Sequence, residues 1–353
     1  MAGPDARRSA DAARRAPVFT RFWDSSAGQL APPLLADWSR PLEPATALHA
    51  DAEHPDIYYA DMSVFAYDPA FEYLCRRVLL TGENVLPDYE FFDWTMTPYA
   101  DGPHNLRILP TSVPGEAEET PQEILRGKTK FCSFLYADPC CAPRNEFFDL
   151  LSRHRRVDAL GLLMRMHPRR PNTWPRFRED WIDGAVELQR AYKFVVSFEN
   201  SLGAGYTSEK ICVAFRANAV PIYWGNPKIV EDYCAESFIN AHDFPSLEAL
   251  VEHVLKVDAD DDLYLSYLAA PRLHQPLQKF YTAQTGRRER FLRAIHTRPM
   301  GGRGIPVAQT DAFQREVWSR LHCSVTLRDV FESAFSGFDK RPQSHYFTGL
   351  RDF

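Results

Sequence analysis

From Tyr192 to Phe198 (YKFVVSF) five of seven residues are apolar and the run then stops at a polar turn, the pattern of a short strand covered on both faces. Val220–Trp224 and Phe238–Ala241 repeat that pattern, separated by loop signals such as Gly225-Asn226-Pro227. Between these runs the period changes. Residues from about Ser208 to Arg216 predict a helix, and Ser246–Val257 predicts another, with Leu247, Leu250, Val251, Val254 and Leu255 on one face and Ser246 as N-cap. A further helix is expected from near Leu263. Upstream, Thr129–Tyr136 reads as a strand and Arg144–His154 as an amphipathic helix. Strands alternating with helices predict a parallel α/β sheet.

The first third is less regular. Ile57–Tyr59, Arg77–Leu80 and Phe91–Met96 read as strands, whereas Pro17–Pro55 is rich in Pro and Trp without clear periodicity and is expected to be irregular. Asp101–His104 (DGPH) reads as a loop. Pro110–Gly127, with Pro114, Gly115, Pro121 and the acidic Glu116, Glu118 and Glu119, is the candidate linker. Asp311–Ala334 has mixed helical character, and no internal repeat is visible. A chain of 353 residues is long enough for two domains, each with its own core. The expected division is a disordered tail over 1–16, an N-terminal domain over 17–126, a C-terminal domain over 127–297, and a helical segment over 298–353 that could pack back on the N-terminal domain.

Composition narrows the partners. With 41 Lys+Arg against 47 Asp+Glu the formal net charge is -6, which argues against a non-specific nucleic-acid or polybasic membrane partner. Seven cysteines are odd in number and scattered without a C-x-x-C pair, so a reduced, cytoplasmic setting is expected. The most apolar window, Ile211–Trp224, contains Arg216, Asn218 and Pro221, so no transmembrane segment is expected. The first fifteen residues are rich in Ala and Arg but lack the apolar stretch of a secretory signal; a basic surface-binding arm is the alternative to a disordered tail.

Dinucleotide-fold, P-loop, zinc-protease and nucleophile-elbow motifs are all missing from the sequence. The acidic run Asp258–Asp262 contains a D-x-D, but its place between two helices favours helix capping over metal binding. The informative segment is Lys193–Phe244. There a strand ends at Phe198, a polar turn is expected to expose Glu199, Asn200 and Tyr206, and a helix begins at Thr207 or Ser208. Such strand-to-helix turns hold ligands in α/β folds. Backbone N–H groups at the helix start, with Lys210 in its first turn, would favour a phosphate. Glu209 beside them would either face a pair of ribose hydroxyls or simply stabilise the helix start, and the local pattern leaves both open.

Tyr192–Phe244 resembles the donor-binding signature of the α-1,3/1,4-fucosyltransferases, glycosyltransferase family 10. The matching elements are Phe198-Glu199-Asn200, Gly205-Tyr206-Thr207-Ser208-Glu209-Lys210, Pro221-Ile222-Tyr223-Trp224-Gly225, and Ser237-Phe238-Ile239 with Asp243-Phe244. Weaker echoes at Thr81-Gly82-Glu83-Asn84, Pro87-Asp88, Phe92-Asp93 and Arg144–Asp149 extend the likeness over roughly Arg77 to Pro271. The resemblance, to a bacterial-type soluble member, implies a GT-B architecture: two Rossmann-like domains facing a cleft, with 17–126 on the acceptor side and 127–297 binding the GDP-sugar. It implies GDP-fucose as co-substrate, inversion at the anomeric carbon, no cofactor and no metal. Arg144 and Lys210 match the diphosphate-binding cations. Asn200, Tyr206 and Glu209 match polar donor-site positions, with Glu209 at the catalytic centre and facing the ribose.

The implied acceptor is a glycan, either an oligosaccharide or a lipid-linked glycan as in lipopolysaccharide or protein glycosylation, with peripheral membrane contact left open. The departure concerns the base. Family members carry a Glu in the loop after the strand matching Phe91–Met96, but no Glu lies between Glu90 and Glu116. Asp101 is the nearest carboxylate and His104 the runner-up, and either could be a plain turn residue. Two alternatives follow: transfer of a different GDP-linked sugar, and a non-catalytic nucleotide-sugar- or glycan-binding protein.

Overall fold

The apolar runs become two sheets whose strands are all parallel. The computed structural model describes residues 18–23, 48–49, 57–60, 76–82, 84, 92–108, 118–136, 141–160, 181–274 and 286–295. The tail expected over 1–16 and the helical segments expected over 298–353 and Asp311–Ala334 lie outside the described residues.

The first sheet comprises β1 (Val18–Trp23), β2 (Leu48–His49), β3 (Ile57–Ala60), β4 (Arg76–Leu80), β5 (Trp94–Thr97) and β6 (Asn105–Arg107). Its order is β2-β1-β3-β4-β5-β6. Two of these strands correct the expectation of irregular chain over Pro17–Pro55. In β1 the polar Thr20 and Arg21 interrupt an apolar run, so neither an alternating nor a continuous apolar pattern shows.

The second sheet comprises β7 (Lys130–Phe134), β8 (Val157–Ala159), β9 (Tyr192–Phe198), β10 (Val220–Trp224) and β11 (Ile239–Asn240), in the order β11-β10-β9-β7-β8. Its helices are α1 (Pro121–Gly127), α2 (Ala142–Ser152), α3 (Trp181–Gln189), α4 (Lys210–Arg216), α5 (Leu247–Ala259) and α6 (Asp261–Ala269). Alternate residues of β9 serve opposite faces: Phe194, Val196 and Phe198 pack with Phe147 of α2 and Val254 of α5, while Val195 meets Ala214 of α4. Burial on both faces is why this strand reads as a mostly apolar run.

Capping decides the helix boundaries. Ser246 caps α5 as expected, its side chain accepting from the Ala249 N–H. Asp260 accepts from Leu263 N at 3.0 Å to cap α6, and Asp258 holds Arg155 at 2.8 Å and Lys193 at 3.1 Å, so these two acidic residues are committed to local structure. The end of the expected linker is helical instead: Thr120 and Glu123 form a reciprocal capping box at the start of α1.

Strand order places the site. Crossovers leave β7 toward β8 on one side and β9 on the other, so the crevice between the C-terminal ends of β7 and β9 is the switch point where doubly wound sheets bind ligands. After the second sheet the chain returns to the first. The helix α7, residues 286–295, buries Leu292 and Ile295 against Ile57, Val78, Met96 and Leu106, although the expected C-terminal domain ran to 297. Among the described residues, no helix is long and apolar enough to cross a membrane.

Candidate functional site

Three groups converge at the switch point. Tyr136 follows β7, and its hydroxyl donates to Val196 O at 2.7 Å and accepts from Phe198 N at 2.7 Å, tying down the end of β9. Arg144 of α2 is buried, with its guanidinium 3.9 Å from the Tyr136 ring centre and Nη2 3.5 Å from Phe198 O. Beyond Phe198 stands Glu199, wholly buried. Its carboxylate accepts from Ser208 N at 2.8 Å and from Ser208 Oγ at 2.6 Å, with Lys210 Nζ at 3.5 Å.

The turn therefore does not expose Glu199 as expected, nor Tyr206, which is also buried. The physical reason lies at the head of α4, where the N–H donors need an acceptor. Glu199 supplies one from within the protein, so the Ser208 donors expected to greet a phosphate are already engaged. Helix α4 starts at Lys210 with Glu209 as N-cap, two residues later than the predicted start.

Lys210 Nζ donates to Ser208 Oγ at 2.9 Å and lies 3.6 Å from Glu209 Oε1. Burial presses its pKa down, but the carboxylates of Glu209 and Glu199 outweigh that and raise it, so the ammonium persists. Burial pushes the Glu199 carboxyl up against the opposing pull of Lys210 and Ser208. Asn200 is half-buried, its side-chain oxygen accepting from Ser201 Oγ at 3.1 Å.

Two further residues shape this turn. Gly225 has φ 145°, and a Cβ there would lie 2.4 Å from Glu199 Cγ, so only glycine fits beside the buried carboxylate. Asn226 is fully buried; its Oδ1 accepts from Gly205 N at 2.7 Å and Lys228 N at 2.9 Å, and its Nδ2 donates to Thr207 Oγ1 at 3.0 Å. Sequence reasoning passed over Asn226 as loop. The available signal was an Asn directly after a strand and a glycine, where its amide can fold the backbone around itself.

The first unit contributes the loop between β5 and β6. Asp101 accepts from Arg107 N at 2.8 Å through Oδ1 and pairs with Arg287 of α7 through Oδ2. His104 lies elsewhere: its Nδ1 is 3.0 Å from Asp93 O and its ring 4.7 Å from that of Trp94, the first residue of β5. Because β5 runs from Trp94 toward Thr97 at the cleft, His104 sits roughly 10 Å behind the C-terminal edge. The structure thus brings Arg144, Glu209 and Lys210 to one crevice, buries Tyr206 within the turn and leaves His104 outside. Tyr99 does reach the other unit, its Cα 3.8 Å from where a Cβ on Gly205 would stand.

Two parallel sheets, meeting through the loops at their C-terminal edges with a crevice at one switch point, have the layout of the GT-B fold. A crystal structure of an α1,3-fucosyltransferase with GDP-fucose superposes with a TM-score of 0.60 at 19% identity, covering 82% of this chain and 94% of that one. Residues 126–289 match the family described as glycosyltransferase family 10 (fucosyltransferase), C-terminal part. A protein of Acanthamoeba polyphaga mimivirus is 30% identical over 202 residues, 55% of this chain and 33% of that one. The α-(1,3)-fucosyltransferase FucT of Helicobacter pylori is 26% identical over 232 residues, 55% of this chain and 46% of that one. The chain thus spans a third to a half of the length of these two curated relatives. Residues 126–289 thus carry a likeness to glycosyltransferase family 10.

Proposed function

We propose that this protein transfers L-fucose from GDP-fucose to a hydroxyl of a glycan acceptor, with inversion and an α-1,3/1,4-type linkage. The observation that carries the reading is the convergence of Arg144 and Lys210 on the switch-point crevice of a family 10 domain. Their charges oppose the negative charge that builds on a departing diphosphate, while Glu209 offers acceptor oxygens to the ribose hydroxyls. Attack must come from the face opposite the GDP, which calls for a base on the first unit. We assign it to Asp101, with Arg287 orienting the carboxylate. Two cations already face the leaving group, so the reaction is expected to need no metal or cofactor, and activity should survive EDTA.

The acceptor is an oligosaccharide or a lipid-linked glycan, as in lipopolysaccharide or protein glycosylation, reached from the cytoplasm with peripheral membrane contact in the second case. A transfer assay with GDP-fucose against a panel of such acceptors, with product linkage determined, tests donor, acceptor and activity together. Activity with another GDP-sugar alone would replace fucose in the reading. One observation favours a second reading, a nucleotide-sugar-binding protein without catalysis: both Asp101 oxygens are engaged within the protein. Absence of slow GDP release from GDP-fucose without acceptor, alongside tight GDP binding, would select it.

A further inference from the structure

Asn84 follows β4 and Tyr99 follows β5, so both stand beyond the C-terminal ends of first-sheet strands, toward the second unit. Asn84 is wholly buried. Its Nδ2 donates across the unit boundary to Ser201 Oγ at 2.7 Å and to Leu202 O at 3.1 Å, and its Oδ1 accepts from the Tyr99 hydroxyl. The turn is cut to receive it: a Cβ on Gly203 would lie 2.4 Å from Asn84 Oδ1. Gly205, at φ +100°, passes beside Tyr99. Residues 201–203 of the second unit therefore take their shape from side chains of the first. The same turn leads straight into Tyr206, Glu209 and Lys210.

We propose that Asn84, oriented by Tyr99, is a positioning residue for donor binding. It holds the turn Ser201–Gly203 in the shape that receives the nucleoside diphosphate, so both units set donor affinity together. The inference rests on the fucosyl-transfer reading in taking GDP as the ligand. Its physical basis is preorganisation: a turn already fixed by buried hydrogen bonds has less conformational freedom left to lose when the ligand arrives. Asn84 touches no reacting atom in this scheme, so its loss should raise the donor KM while kcat at saturating donor holds.

Calorimetric titration of GDP into the full chain tests this with Asn84→Ala, Tyr99→Phe, Ser201→Ala and the double variant Tyr99→Phe/Ser201→Ala. Asn84→Ala should weaken GDP binding about 10-fold or more, and each single hydroxyl removal less. Tyr99 and Ser201 both act through Asn84, so the double variant should lose less than the product of the two single losses. Tyr99→Phe deletes one oxygen and keeps the inference testable if Asn84→Ala fails to fold. Asn84→Ala and Tyr99→Phe binding GDP as tightly as the parent, whether or not they melt earlier, would reduce the contact to plain packing and overturn the proposal. A parent protein that does not bind GDP would instead overturn the functional reading and this inference with it.

Discussion

Lys210 and Arg144 are held at the crevice by different means. Lys210 is held by Ser208 and two carboxylates, whereas Arg144 lies flat on Tyr136. Lys210→Ala and Arg144→Ala should each cost at least ~2 kcal/mol of transition-state stabilisation, about 30-fold in kcat/KM, as expected for losing a charge-assisted contact to a leaving group. Near-normal turnover in either variant would return that residue to a structural role. Asp101 needs a paired test because Arg287 and the Arg107 N–H both hold it. Asp101→Asn, which preserves size and turn preference, should lower transfer by ~10²-fold while folding persists. Arg287→Gln should cost much less if Asp101 is the base. Equal losses would make the carboxylate a bracket for its loop.

At the scale of elements, β9 and β10 were legible to the residue because both faces are buried and most of each run is apolar. The start of α4 was not. Its donors are satisfied by Glu199, a contact closed only once the turn has folded back, and a polar residue in a turn otherwise reads as exposed. The capping-box spacing of Thr120 and Glu123 was present, but Pro121 and the acidic run around it carried the linker signal more strongly. The motif identified Arg144 and Lys210, while their shared crevice depended on strand order, which no local pattern encodes.

The β10 exit also carries an acid-sensitive element. His242 accepts from the Gly225 N–H at 3.4 Å, and burial holds its pKa below the ordinary 6.5. Burial lowers His253 of α5 in the same direction. The unfolded chain then takes up protons before the fold does, so stability should fall as pH drops through 6.5 and toward the folded values. Urea denaturation from pH 7.5 to ~5 checks the slope, and His242→Gln, which keeps an acceptor for Gly225, should flatten it.

Across the whole molecule, the two units are joined by buried polar contacts. Arg107 at the end of β6 binds Asp232 with Nη1–Oδ1 at 3.0 Å and Nη2–Oδ2 at 2.6 Å, and its Nε donates to Pro98 O at 3.1 Å. Asp232 is mostly buried, so losing Arg107 strands a carboxylate. A double-mutant cycle of Arg107→Ala and Asp232→Ala should return a coupling of roughly 1–3 kcal/mol in denaturation. Additive effects would mean that the bridge contributes nothing beyond its parts. The return of α7 to the first sheet has a consequence for the order of synthesis. Leu292 and Ile295 complete the core around Val78 and Met96, so the unit made first is left with an open apolar surface until α7, which follows the whole second sheet in the chain, has emerged. On the ribosome the second unit can close first, and the first must stay shielded from aggregation until α7 arrives.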